Sequence, residues 1–572
     1  MNTTMSTTTN TKFLSCLTAI VKPEQSGKTF EMIERIISDR KKIINSNIIP
    51  IDIILTDLNI TLVNQTINRL QDKLIYTDEE NDKLKELFKN HNFMSFNSKD
   101  KKYKTKESIL SQIIEDYDYL RNTDSDSDSD TESDIDDSNK INGTIIACCC
   151  HKQRWLDIFG EDIKNSIIYK INRLKTPTTK FKFTIWCDEF DIYIKHIEHY
   201  IRPFTEKKNI DITINGLSAT IEKVYEIYDT FQIQPIKQTY IEKLYHNWDD
   251  NKIFEEDKQS SIFDFIEFIL DKYYNESDIG SKWFIPGNHS IKSHNTIRDL
   301  CLNKNMCVFV KNTSGTVLSV PGKGHIKIDE TLKKPDGQLY SFSELLDKSI
   351  QDNKLNKYQF VITGYKCISR GVSIQSNEFL FDNAILYDIS DSTALSQMAG
   401  RLSGNIKEEN NYDYESTINV YTTKKFNKKM KQMRYISENL ACYAYEKDNI
   451  NPSFVTKIEY EDIKSKCNSK LGLQEEAKEP IIKTFDSQEE LKKYYKNNLK
   501  PIFSGRGPNK KNADKNGFYL GSFRNGLQIL SVEEVYKERK WGLSSKNPYR
   551  SYPCYRNTDD PNTLEWWIIY YN

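Results

Sequence analysis

The sequence predicts an α/β protein with two parallel-sheet domains in tandem and a small α+β module at the C-terminal end. Three observations predict it. Short β-rich apolar runs alternate with longer amphipathic stretches, a Gly-Lys-Thr triplet falls between a strand-like and a helix-like stretch near the start, and the composition changes after about residue 480. At about 100–200 residues per domain, 572 residues make about three or four domains, each long enough to bury a core. A small disulfide-stapled scaffold is excluded. No apolar run reaches the ~18 residues that cross a bilayer, so no membrane partner is expected. The run 13–21 resembles a secretory apolar segment, but Lys12 alone charges the stretch before it, and a buried strand is the better reading. Eleven cysteines with no CxxC pair point to a reducing, intracellular compartment.

In chain order, residues 1–12 form a polar Thr/Asn leader, expected to be disordered. Buried strands are expected at 14–21, 51–55, 144–149, 181–187, 283–285, 307–310, 360–362, 384–387 and 418–421, with helical patterns after Thr29 and around 395–402. Within about 122–140, a run of eight acidic residues without a basic one has almost nothing apolar to bury, and reads as a disordered insertion. Without it the net charge of −1 becomes +7, so near-neutrality does not argue against a polyanion partner. The charged, aromatic stretch 221–280 reads as a helical bridge or insertion between two α/β halves, 13–220 and 281–440, and 441–480 as a linker. In the module 481–572, Asn516-Gly517 and Asn525-Gly526 flank a hairpin-like run, and Ser531-Val-Glu-Glu534 fits a helix-opening capping box. Trp566, Trp567, Ile568 and Ile569 read as a terminal core strand.

The segment Pro23-Glu-Gln-Ser-Gly-Lys-Thr29 has what a phosphate loop needs: Gly27 for backbone freedom, the Lys28 ammonium for phosphate oxygens, the Thr29 hydroxyl for Mg²⁺, and a helix start whose N–H groups face an anion. Lys22 stands where such loops usually have their first glycine. Asp188 and Glu189 follow a hydrophobic run, where one carboxylate can hold Mg²⁺ and its neighbour can orient and deprotonate a water. Cys148-Cys-Cys-His151 has the wrong spacing for one tetrahedral ion and reads as strand. Cations at Lys424, Lys425, Lys428, Lys429, Lys431 and Arg434 could follow a phosphate backbone, or form a solvated helix face. In the last module, cations from Lys500 to Arg524 interleave with aromatics from Phe503 to Phe523, a pattern shared by single-strand binders and small cores.

Taken together, Gln25-Ser-Gly-Lys-Thr29, Asp188-Glu-Phe-Asp191, Ser218-Ala-Thr220, Ser369-Arg-Gly-Val-Ser373 and Gln397-Met-Ala-Gly-Arg401 resemble motifs I, II, III, V and VI of superfamily 2 helicases, in order, across residues 13–440. Ile54-Leu-Thr-Asp57 with Gln65-Thr66 resembles motif Ia, and Trp283-Phe-Ile-Pro-Gly-Asn288 resembles the strand near motif IV. The resemblance implies two tandem RecA-like domains with ATP and Mg²⁺ in the cleft between them and RNA or DNA, single-stranded, running across both. It implies that Gln25, Ser26, Gly27, Lys28 and Thr29 bind phosphate, Thr29 and Asp188 hold the metal, and Glu189 activates water. Ser218 and Thr220 would couple hydrolysis to domain movement. Arg370, Gly371, Gln397, Gly400 and Arg401 would complete the cleft from the second half.

Three departures stand out. The final Arg of the family's QxxGRxxR falls on Gly404, no aromatic-plus-Gln element precedes the first strand to read adenine, and DEFD is neither DEAD nor DEAH. An arginine finger is worth about 10³–10⁵ in rate in other phosphoryl-transfer systems. The expected activity is a nucleic-acid-dependent ATPase that translocates on or unwinds RNA or DNA; the alternatives are a translocase without unwinding, or a degenerate motor that only binds nucleic acid. The Asn/Ile/Lys/Tyr-heavy composition suggests an AT-rich genome, and the motif style resembles that of helicases of large DNA viruses and phages; the expected location is intracellular, in cytoplasm or nucleus, or in a viral factory or virion if the source is viral.

Overall fold

The computed structural model describes residues 12–43, 48–57, 60–75, 88, 91–100, 102–125, 143–160, 162–174, 180–207, 210–237, 245–257, 259–312, 314–335, 340, 342–365, 368, 379–388, 392–404, 417–472, 481–499, 549–555 and 564–570. The chain forms two compact units, Met1–Leu471 and Gly472–Asn572.

The first unit holds two sheets. The first contains β1 (Leu17–Val21), β2 (Ile48–Thr56), β3 (His91–Phe96), β4 (Gly143–Cys149), β5 (Lys180–Asp188), β6 (Asp211–Ser218), β7 (Thr230–Ile233) and β16 (Ser453–Thr456), in the order 16-7-1-6-5-2-4-3. All pairs are parallel except β16 with β7. Strands covered on both faces must be nearly continuous apolar runs, and β1 is buried at all five positions. The second contains β8 (Lys252–Glu256), β9 (Lys282–Phe284), β10 (Cys307–Asn312), β11 (Gly315–Val320), β12 (Gly324–Ile328), β13 (Phe360–Gly364), β14 (Asn383–Leu386) and β15 (Asn419–Thr423), in the order 12-11-10-13-9-14-15-8. Its core is parallel, with the antiparallel strands β11 and β12 appended through β10. These are two tandem RecA-like domains.

Each of the nine expected strands lies at or within two to three residues of its place, but two boundaries need correction. The stretch 221–280 is not a helical bridge: it supplies β7 to the first sheet and β8 to the second. The alternation Thr230-Phe-Gln-Ile233 buries Phe231 and Ile233 against the first core, a short period-two signal hidden among charges. Nor is 441–480 only a linker. Strand β16 extends the first sheet, and a capping box at Thr456 opens a helix that buries Tyr460, Ile463 and Cys467. Residues 1–11 and 126–142, the bulk of the leader and of the acidic run, lie outside the described residues.

Helix α1 (Lys28–Ile43) follows β1, α2 (Phe190–Tyr200) follows β5, α3 (Ser392–Gly400) follows β14, and α4 (Lys424–Lys447) follows β15. The 24 residues of α4 join the two halves. Phe426, Met430 and Met433 pack into the second core, whereas Ile436, Leu440 and Ala444, farther along the helix, pack into the first. Asn427 accepts from the Trp248 indole at 2.8 Å, fastening the chain that enters the second half. The cations of this helix are largely employed. Lys429 lies 3.9 Å from Glu222, Lys431 3.2 Å from Asp249, and Arg434 2.6 Å from Glu438, while Lys424 and Lys425 remain exposed.

In the second unit, β17 (Ile481–Phe485), β18 (Tyr549–Tyr555) and β19 (Leu564–Tyr570) form an antiparallel sheet in the order 17-19-18, beside the helix Gln488–Tyr494. Leu491, Tyr495, Leu499, Tyr549, Ile568 and Tyr570 make its core, so the terminal run is a core strand as expected. The expected hairpin, capping box and cation–aromatic cluster between 500 and 534 lie outside the described residues. Among the described residues no helix is long and apolar enough to cross a membrane.

Leu440 has no exposed surface. Leu440→Ala therefore should cost about 2–5 kcal/mol and lower the denaturant midpoint of the first unit. Lys425→Ala, on the exposed first turn, should leave that midpoint within about 0.5 kcal/mol of wild type. Parallel denaturation curves of the two variants check both.

Candidate active site

Functional side chains collect at the carboxyl ends of β1, β5 and β6, where a parallel sheet leaves a crevice. The loop 22–27 leaves β1 and turns through Gln25 (φ +53°) and Gly27 (φ +85°) into α1. The Ser26 hydroxyl donates to the Pro23 carbonyl at 2.7 Å, and the Glu31 N–H to the Gly27 carbonyl at 2.9 Å, so the loop is braced at both ends. Lys22 needs no glycine's freedom. Its N–H donates to the Ser218 carbonyl at 3.1 Å, extending the pairing of β1 with β6, and its buried ammonium lies 3.6 Å from Glu31.

Lys28 sits among carboxylates. Its Nζ is 3.1 Å from Glu24 Oε2 and 3.9 Å from Glu189 Oε1. Burial pushes the ammonium's pKa down, but Glu24, Glu189 and Asp188 outweigh it and hold Lys28 above the usual lysine range. Burial acts on Asp188 and Glu189 in the opposite sense. Burial pushes Asp188 up to about 6 against the pull of Lys28, with Glu24 and Asp57 adding to the rise. Burial also raises Glu189 well above the carboxylate range, opposed by Lys28 and reinforced by Glu24, Asp188 and Asp191. Glu189 occupies the residue before α2 in a left-handed conformation (φ +53°), which turns its side chain into the crevice, and its Oε2 is buried without a hydrogen-bond partner.

Asp191, one position into α2, joins the acidic strand to its neighbour. Ser218 Oγ donates to Asp191 Oδ1 at 2.7 Å and Thr220 Oγ1 to Oδ2 at 3.0 Å. The expected coupling pair is thus brought together with the acidic motif through a residue to which the sequence assigned no role. Asp57, expected near a nucleic-acid contact, is instead buried and accepts from the Tyr193 hydroxyl at 2.6 Å.

The second half closes the crevice. Gln397, on α3, hydrogen-bonds through Nε2 to Glu189 Oε1, and at 3.1 Å to Glu24 Oε1; Ser396 Oγ donates to the same Glu24 oxygen at 3.2 Å. Arg401 is buried beside them. Its pKa is pushed down to about 10 by burial, against the opposing charges of Glu24 and Glu189. Gly400 is required by proximity, since a Cβ there would stand 2.6 Å from Glu24 Cβ. Gly404 (φ +124°) exchanges both backbone hydrogen bonds with His246, at 2.7 and 2.8 Å, and a Cβ there would lie 2.9 Å from Gln25 Cβ. The position of the family's final arginine has no room for a side chain. Arg370 and Gly371 lie outside the described residues.

Glu24, Ser396 and Tyr245, whose hydroxyl donates to the Glu24 carbonyl at 2.8 Å, were not singled out by the sequence. Glu24 occupies a variable position of the loop, and its partners lie 372 and 373 residues away. No local signal marks them.

No family model and no curated protein matches the chain. Among solved structures it is similar to S. cerevisiae Dbp5 bound to RNA and ADP BeF3 (11% identity over 80% of this chain and 89% of that one, TM-score 0.33). It is also similar to a DEAD box protein from the hyperthermophile Methanococcus jannaschii (14%, 76% and 86%, TM-score 0.30), and to the ATP-dependent Type ISP restriction-modification enzyme LlaBIII bound to DNA (11%, 83% and 33%, TM-score 0.42). At such TM-scores the likeness carries no argument, and the functional reading rests on the cleft.

The tight approach of the two halves at Gly404 has a measurable consequence. Gly404→Ala should destabilise the first unit by about 1–3 kcal/mol, because the left-handed backbone and the contact with Gln25 both penalise a Cβ. Gly315→Ala is a control for the backbone term: it also has positive φ but meets nothing within 4 Å. A larger loss of denaturant midpoint at 404 than at 315 is the expected result.

Proposed function

We propose that the chain is a nucleic-acid-dependent nucleoside triphosphatase of helicase superfamily 2, using ATP hydrolysis to translocate along, or separate, strands of RNA or DNA. The observation that carries this reading is Gln397. It reaches from the second half to Glu189, beside Lys28, so that the candidate water-activating carboxylate and the phosphate lysine meet a residue whose position depends on domain closure.

The donor set fits the group that such a reaction needs. The Thr29 hydroxyl and the Asp188 carboxylate are hard oxygen ligands of the kind Mg²⁺ prefers, and a buried, unpartnered Glu189 oxygen faces the same crevice. Thr29 and Asp188 would hold Mg²⁺, which on binding neutralises phosphate charge. The loop N–H groups at the start of α1 receive phosphate oxygens, and Lys28 supplies a point charge to them. Glu189, whose raised pKa makes it a stronger base than an exposed carboxylate, takes the proton of the attacking water. Gln397 holds Glu189 in place, and Arg401 contributes the cation that Gly404 lacks. Asp191 passes a shift at Glu189 to Ser218 and Thr220, the residues expected to couple hydrolysis to movement.

In a phosphate-release assay with single- and double-stranded RNA and DNA, at least one nucleic acid should stimulate turnover. Lys28→Ala and Glu189→Gln should each lower turnover by about 10²–10⁴ with the fold intact, and full turnover in both would refute the assignment. Arg401→Ala should cost about 10³, and adding Gly404→Arg should not restore it, because position 404 has no room for the new side chain. Strand displacement measured on the same preparations separates unwinding from translocation alone.

A further inference from the structure

The carboxylate of Glu24 stands where the proposed function puts phosphate. One oxygen, Oε2, lies 3.1 Å from Lys28 Nζ, the cation assigned to the phosphates. The other, Oε1, accepts from Ser396 at 3.2 Å and Gln397 at 3.1 Å, both on α3 of the second half. Its main-chain carbonyl accepts from Tyr245 at 2.8 Å, and Gly400 packs directly on its Cβ. Both carboxylate oxygens are therefore satisfied by groups that a triphosphate or the closing domain would otherwise use. With Glu24 in place, the crevice sets three carboxylates, Glu24, Asp188 and Glu189, against two cations, Lys28 and Arg401, a poor charge balance for receiving an anion.

We propose that Glu24 is an internal, displaceable occupant of the phosphate slot, which neutralises Lys28 and fastens the loop to α3 while no nucleotide is bound, so that an incoming triphosphate must exchange for it. This rests on the reading of Lys28 as the phosphate lysine. Exchange preserves one charge-assisted contact at Lys28 and releases the link to Ser396 and Gln397, which couples nucleotide entry to rearrangement of the second half. Glu24 thereby sets nucleotide affinity through a cost that the substrate has to overcome. The base takes no part, so the effect is the same for any polyphosphate.

The test is equilibrium titration of the full chain with a fluorescent ATP analogue and Mg²⁺, with inorganic tripolyphosphate as competitor. Glu24→Gln keeps the shape but not the charge, and should tighten both ligands about ten-fold, the scale of one charge-assisted hydrogen bond. Ser396→Ala removes one contact to Oε1 and should tighten them about two- to five-fold. Measurable wild-type binding with no gain in Glu24→Gln overturns the inference and leaves the nucleotide site standing. Wild-type affinity in Ser396→Ala overturns the fastening to α3. Failure of wild type and both variants to bind overturns the phosphate-site reading and this inference with it.

Discussion

The arrangement depends on keeping one ammonium, Lys28, charged while it is nearly buried. Burial alone drives the pKa of a lysine in that position down. Three carboxylates from three places prevent this: Glu24 in the loop, Asp188 at the end of β5, and Glu189 just after it. Asp188 and Glu189 are themselves pushed up by burial and by neighbouring carboxylates, and Lys28 opposes the rise in both. The cluster exists only because β6 separates β1 from β5 by a single strand, bringing the loop and the acidic turn to one edge. Fold and electrostatics are therefore one constraint: moving either strand by one place in the sheet would leave a buried charge unpaired, at a cost of several kcal/mol.

The second half is positioned against this cluster by more than its own contacts. Helix α4 shares its face between two cores, Met430 in one and Leu440 in the other, so the halves are joined by a rigid element as well as by the connection through β7 and β8. Strand β16 then returns to the edge of the first sheet. Across the cleft these linked halves meet at the loop and α3. The ion pairs of Lys429 and Lys431 with Glu222 and Asp249 belong to that joint. Three of the six cations in the stretch that reads in isolation as a phosphate-binding face, Lys429, Lys431 and Arg434, are thus engaged in ion pairs.

What could be read in the sequence follows from range. Buried parallel strands are marked by their own residues, so β1, β2, β4, β5, β13 and β14 were legible; Gly27, Lys28, Asp188 and Glu189 were legible because their chemistry depends on local spacing. Strands β7, β8 and β16 are short, partly exposed or at sheet edges, and their membership is decided by partners far along the chain. The same holds for Glu24, whose meaning lies in Ser396 and Gln397. Asp57 is the converse case: it carries a surface-contact pattern, but the Tyr193 hydroxyl draws it inside.

Gly404, Arg401 and Glu24 are best understood together. Gly404 lets the turn after α3 exchange backbone hydrogen bonds with His246 while lying against Gln25, an approach that an arginine there would prevent. That proximity brings Arg401 and Gln397 into the cleft beside Glu24 and Glu189, so that two cations, Lys28 and Arg401, share one interface. Asp188 and Glu189 already face these cations, and Glu24 adds a third carboxylate from the loop itself, one oxygen on Lys28 and the other on Ser396 and Gln397 of α3. The acidic residue in the loop and the glycine at position 404 thus belong to one close-packed seam between the loop and the end of α3, and the proposed exchange of Glu24 for phosphate would act on that seam.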